Sequence, residues 1–273
     1  MTKRWHRAAL SCALAVGLVS AAPGARAQEA QTFPRVYQWE TPQEGWLELS
    51  LWETFLPASD LPYEGFGLGV TRRHLWAHSL EVEYGVTDRL ALSAYADFED
   101  PTGHAPAFTQ ARVEARYRLF DRYQRVLNPA LYVEWTWPRG SYGAPEELEA
   151  RLILERDFGD LRVVANPTLM RAWSGDEAQR ATTLGLAAGI YERRFWRAQP
   201  GVELFWSMGA VGDWPPFRRQ YFLLGPSADV NVTTALGIHA AACFGVTDGT
   251  DQMMVRGFVT YQFDTVRPSA RQM

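Results

Sequence analysis

The side chains best able to do chemistry in this chain are few. Beyond residue 27 the histidines are His74, His78, His104 and His239, and the thiols reduce to Cys243. Zinc held by His74 and His78 would need their i,i+4 spacing to lie on a helix, or further ligands close by. The surrounding "TRRHLWAHSLEVEYG" alternates instead. His104 falls in a loop-like stretch, and His239 shares a period-two face with Gly237, Ala241 and Cys243. Nucleophilic hydrolysis needs a serine or cysteine beside a histidine that a third group orients. No such set can be assembled on an apolar face here. The expectation is no catalytic residue, no bound metal and no cofactor.

What remains is charge. Glu81, Glu83, Glu114, Glu134, Glu149 and Glu155 stand at alternate positions with Arg112, Arg116, Arg118 and Arg151 on neighbouring stretches. "ARVEARYRLF", 111–120, carries its charges on one side and Ala111, Val113, Ala115, Tyr117 and Leu119 on the other. Cross-strand ion pairs account for these groups without any reaction. Lysine is absent after Lys3, and the planar guanidinium satisfies several acceptors in a confined space better than an ammonium does. These residues read as a polar ladder lining an enclosed bore. With a three-residue turn after Val86, Glu83 faces Ser93 and Glu81 faces Tyr95. A tight connection at 121–124, between the runs 109–120 and 129–137, would set Arg112 against Glu134 and Arg116 against Ala130.

The elements that must position this ladder are strands. Period-two runs fall at 46–55, 78–86, 89–98, 109–120, 129–137, 147–158, 161–173, 181–192, 200–209, 220–230, 235–246 and 252–263. That is about twelve strands. Connectors alternate between tight ones, such as 86–89, 121–124, 159–160, 193–194 and 231–234, and longer ones rich in Gly, Pro, Asp or Ser. Short turns on one side and longer loops on the other are the mark of an antiparallel up-and-down membrane barrel. Aromatics of the apolar face gather near strand ends: Phe98, Trp135, Trp137, Trp173 and Trp206 toward the long loops, Tyr117, Phe158, Tyr191 and Phe263 toward the short turns. Two such girdles enclosing Leu, Val and Ala match a lipid-facing surface; the alternative is the aromatic-rich core of a soluble fold. A sheet in hydrocarbon can leave no edge, so the first strand should pair with the last. Pro167, Pro200 and Pro226 stand against a regular ladder, since each removes a donor.

The head of the chain, "MTKRWHRAALSCALAVGLVSAAPGARAQ", has a basic start, a short apolar run and Ala25-Arg26-Ala27. It reads as a signal peptide, 1–27, with a retained anchor as the alternative. Cleavage would move the formal charge from −4 to −8, which argues against nucleic acid as a partner. It would leave one cysteine and no internal disulfide, so a large core or a closed sheet must hold the fold. No later stretch reaches the roughly 18 uncharged apolar residues of a membrane helix. The expected organisation is a periplasmic N-terminal segment at 28–43, a barrel at 44–263 and a tail at 264–273.

"LEVEYGVTDRLALSAY", 80–95, resembles the strand–turn–strand of proteobacterial outer-membrane β-barrels, in particular the phenol-degradation (meta-pathway type) outer-membrane family and its uncharacterised relatives. The resemblance puts Tyr84, Gly85, Thr87 and Asp88 at a periplasmic turn. "VRGFVTYQF", from Val255 to Phe263, is similar to the C-terminal strand read by the barrel assembly machinery, with ten residues following it. It implies a location in the outer membrane of a Gram-negative bacterium, contact with its lipid, and at most an uptake route for small molecules, hydrophobic ones among them. The leading expectation is a channel or passive transporter for an unidentified small solute. The alternatives are a non-conducting structural or interaction barrel whose bore the ladder fills, and a lipid-modifying barrel enzyme.

Overall fold

Residues of alternating polarity form strands here because a period of two gives lipid one face and the bore the other. The computed structural model describes residues 32–174, 182–195 and 197–265. In chain order the strands are β1 (Trp46–Ala58), β2 (Pro62–Tyr63), β3 (Val70–Thr71), β4 (Leu75–Gly85), β5 (Leu90–Asp100), β6 (Ala107–Arg118) and β7 (Asn128–Pro138). They continue with β8 (Glu147–Phe158), β9 (Leu161–Ala172), β10 (Thr183–Glu192), β11 (Ala198–Ala210), β12 (Tyr221–Asn231), β13 (Leu236–Gly245) and β14 (Met253–Asp264). β2 and β3 make a two-residue ladder within the loop after β1. The other twelve pair antiparallel in sequence order, and β1 closes on β14 from Trp46↔Asp264 to Phe55↔Val255. The fold is a closed, twelve-stranded, up-and-down β-barrel. The expected signal peptide, 1–27, and the tail beyond 265 lie outside the described residues.

The outer face is aliphatic and uncovered. Leu80, Val113, Leu152 and Val259 are 52, 43, 37 and 43 % exposed. A continuous apolar belt of this kind is a membrane surface. Phe98, Trp135, Trp137, Trp173 and Trp206 face outward near the long loops, Trp135 lying 6.1 Å from Trp137 and 5.8 Å from Trp173 between ring centroids. Tyr117, Phe158 and Phe263 face outward near the short turns. Tyr191 does not join them. It points into the bore, is 1 % exposed, and donates its hydroxyl to Glu203 Oε1 at 2.8 Å. Its strand carries small or apolar residues on both faces, so composition leaves its phase unmarked.

The prolines sit where the ladder lapses. β8 and β9 pair at Arg151↔Thr168 and again at Leu154↔Ala165, leaving the stretch around Pro167 without partners on that side. β12 and β13 lapse in the same way between Leu224↔Phe244 and Ser227↔Ala241, opposite Pro226. Pro200 lies beyond the last β10 pair, Tyr191↔Gly201. Each missing N–H is thus placed where no acceptor awaits it.

Registers follow the expectation on one side of β6 and not on the other. Glu83↔Ser93 and Glu81↔Tyr95 are as the short turn requires. Across β6 and β7, however, the pairs are Arg112↔Thr136 and Arg116↔Tyr132. The connection there is not tight: it runs from 119 to 127, between the ends of β6 and β7.

Candidate functional site

All ten ladder residues point into the bore; nine of them are ion-paired in layers along it, and Arg118 stands over the Trp39 ring. Nearest the long loops, Arg112 Nε meets Asp97 Oδ2 at 2.7 Å, and its Nη1 reaches Glu134 Oε2 at 2.9 Å, one step diagonal to the register. Gln110 donates to the same Asp97 at 2.8 Å, and Ser79 donates to it as well. Lower down, Arg116 bonds Glu83 and lies 2.9 Å from Glu114 Oε1. Arg151 pairs with Glu149. Toward the short turns Arg162 lies 3.5 Å from Glu155 and 3.3 Å from Asp157. Tyr95 places its hydroxyl between Glu81 Oε1 (2.6 Å) and Glu114 Oε2 (2.5 Å). On the far wall Arg256 bonds Glu203, while His239 lies between Asp229 (2.7 Å) and Glu203 (3.4 Å).

A barrel of about eight strands is just narrow enough for side chains to fill. Twelve leave a gap, and chain fills it. Residues 32–43, expected in the periplasm, run inside the bore, because the wall offers their backbone and rings the partners that water would otherwise supply. The Asn166 carboxamide accepts from Tyr37 N at 2.7 Å and donates to Tyr37 O at 3.0 Å. Trp39 N donates to Glu155 Oε2 at 3.0 Å, and Arg151 donates to Arg35 O at 3.0 Å. The Tyr37 hydroxyl lies 3.2 Å from both Glu114 and Tyr132. Guanidinium carbons of Arg35, Arg151 and Arg116 stand 4.6, 4.9 and 5.5 Å from the Tyr37 ring, and those of Arg118 and Arg122 stand 4.6 and 5.0 Å from Trp39. The 119–127 connection matters here. It carries Arg122 inward to Glu40 (2.7 Å) and Glu155 (2.9 Å).

The long-loop end is closed by different chemistry. Leu61, Tyr63, Phe66, Leu68 and Val70, from the loop after β1, pack with Tyr142 on an apolar part of the wall that includes Leu56, Leu75, Phe205 and Leu223. A buried ionic anchor fastens this lid: Asp251 accepts from Ser59 (2.6 Å) and Tyr221 (2.9 Å) and lies 3.2 Å from Arg72 Nε. Tyr142 donates to Glu99 at 2.8 Å, and burial together with that carboxylate raises its phenol above the usual range.

The bore is therefore filled. Glu83, Glu155 and Arg116 are 0, 0 and 4 % exposed, values that a water-lined bore would not give. A void beside Arg35 and Arg151 measures about 10 Å³, at the lower limit for a single water. Among the described residues no three of His, Cys, Asp and Glu gather as metal ligands. His78 lies on the outer face with Nδ1 2.6 Å from Glu53, beside Trp76. Sequence reasoning missed Arg35, Tyr37 and Trp39, because a segment held by side chains makes no ladder and only three alternations mark it. It also missed the inward aromatics Trp52 and Tyr132, which interrupt the charges.

No protein-family model matches the chain, and no curated protein matches it either. Solved structures do share its fold. An outer-membrane channel from Pseudomonas putida F1 superposes with a TM-score of 0.58 at 11% identity, covering 85% of this chain and 100% of its own. The KdgM porin gives 0.55 at 10% identity, covering 79% of this chain and 99% of its own.

Proposed function

We propose that this chain is an outer-membrane channel or passive transporter for a small solute, held closed by its own residues 32–43. The observation that carries this reading is the manner of closure. A strip of chain, not the wall's own side chains, occupies the centre, and its backbone is held by wall side chains whose hydrogen bonds water can replace. The fold shared with an outer-membrane channel and a porin supports the same reading. So does the chain's head, which fits export by a signal peptide, and the 255–263 strand, which fits recognition by the barrel assembly machinery. The 80–95 hairpin supports the finer placement beside the phenol-degradation type family. No catalysis enters the proposal: neither His78 with Glu53 nor His239 with Asp229 has a hydroxyl nucleophile hydrogen-bonded to it among the described residues.

Planar-bilayer recordings of the refolded chain test it. Each cation–π or buried hydrogen-bond contact contributes roughly 0.5–2 kcal/mol, and about 1.4 kcal/mol is a tenfold change in population. Arg35→Ala, Tyr37→Ala and Trp39→Ala together should raise the open probability at least tenfold over the native chain. Absence of unitary currents in both proteins, with no solute uptake by proteoliposomes, would support the second reading. In that reading the barrel does not conduct, and the depth to which its ladder is buried reflects a permanent filling.

A further inference from the structure

Five arginines of the wall are paired within the wall. Arg112, Arg116, Arg151, Arg162 and Arg256 each have a carboxylate partner contributed by the strands. Glu81 is different. It is 2 % exposed, and its ion pair among the described residues is with Arg35 of the inserted segment, Nη1 to Oε1 at 3.5 Å. Around that guanidinium the wall has built more than a counter-charge. Trp52 and Phe258, from β1 and β14, pack at 4.3 Å between ring centroids, and the Arg35 Cζ stands 4.5 Å from the first and 5.2 Å from the second. The Trp52 indole donates to Glu81 Oε2 at 2.8 Å and Tyr95 lies 2.6 Å from Oε1, so the carboxylate is fixed in aim. Two aromatic faces and an oriented, desolvated carboxylate are the composition that recognises an organic cation. Val36, next to Arg35 in the chain, enters an apolar cluster with Val164, Ala187 and Phe205.

We infer that Trp52, Phe258 and Glu81 form a binding site for organic cations, guanidinium or alkylammonium groups on an apolar body, and that Arg35 occupies it as an internal substitute in the closed state. When residues 32–43 leave, Glu81 loses Arg35, its ion-pair partner among the described residues, and a cationic solute restores the pairing. The inference rests on the channel reading only in taking the vacated site as one that a solute visits. Two classes of small molecule are thereby disfavoured: anions, which meet Glu81 directly, and neutral solutes, which leave it unpaired.

Calorimetric titration of the full chain refolded in detergent tests the site, with methylguanidinium as the probe and methylurea as its neutral counterpart. Arg35→Ala should bind methylguanidinium saturably, at least tenfold more tightly than the native chain, and should not bind methylurea. Adding Glu81→Gln should weaken that binding tenfold or more, and adding Trp52→Leu several-fold. No saturable binding by Arg35→Ala, or binding unchanged by either second substitution, would overturn the site. Heat-modifiable gel mobility identifies which variants have folded; should Glu81→Gln fail to fold, Trp52→Leu decides. Calorimetry needs no current. A barrel that binds the probe without conducting would strike the channel reading alone, and one that conducts without binding would strike this inference alone.

Discussion

Arg116 shows what a single side chain does in this bore. Its guanidinium serves Glu83 and Glu114 at once and donates to the backbone oxygen of Glu40 at 3.2 Å, with 4 % of the residue exposed. Removing it leaves two desolvated carboxylates facing each other. Arg116→Ala should therefore lose about 3–5 kcal/mol, read as a lower urea midpoint for unfolding from lipid vesicles. Arg116→Lys should regain only part of that, because an ammonium cannot span both acceptors as the fork does. A loss for Arg116→Ala of less than about 1 kcal/mol, the scale of an exposed pair, would mean that water reaches the ladder. These residues were legible in the sequence because charges at alternate positions fix the phase of a strand. Tyr191 was not, since Gly185, Ala187 and Gly189 on its own face and Ala188 opposite carry no such marker.

Elements differ in how they close the two ends. The lid at 59–74 is fastened by close packing, and Gly65 is its tightest point. A Cβ there would lie 2.5 Å from Tyr142 Cε2 and 2.6 Å from the Tyr63 hydroxyl. Phe66 beside it already holds a φ of 57°, in the left-handed region that costs a bulky residue energy. Gly65→Ala should loosen the lid by roughly 1–3 kcal/mol, the scale of overpacking. Hydrogen exchange should then quicken across 59–74 while the barrel strands keep their protection; unchanged exchange in that loop would show the contact to be slack. The connection at 119–127 taught the converse. Read as a tight turn, it misplaces β7 by two residues against β6, and its true length lets Arg122 reach Trp39 and Glu40. Turn length sets register, and nothing in "FDRYQRVL" announces that the turn folds inward.

At the scale of the whole molecule, closure was legible and filling was not. Twelve alternating runs with apolar faces demand a sheet without edges, and β1 meets β14 accordingly. Whether the enclosed bore is open depends on a segment with no ladder of its own, and strand periodicity does not report on it. If residues 32–43 are a gate, fixing them in place must silence the barrel. The Asn166 side chain bonds Tyr37 through both N and O of its backbone, so these two positions are in direct contact between segment and wall. With Tyr37→Cys and Asn166→Cys in one chain, bilayer currents should flow under reducing conditions, vanish on oxidation to the disulfide, and return with fresh reductant. Equal currents before and after complete cross-linking, or none in either state, would contradict a channel closed by its own N-terminal segment.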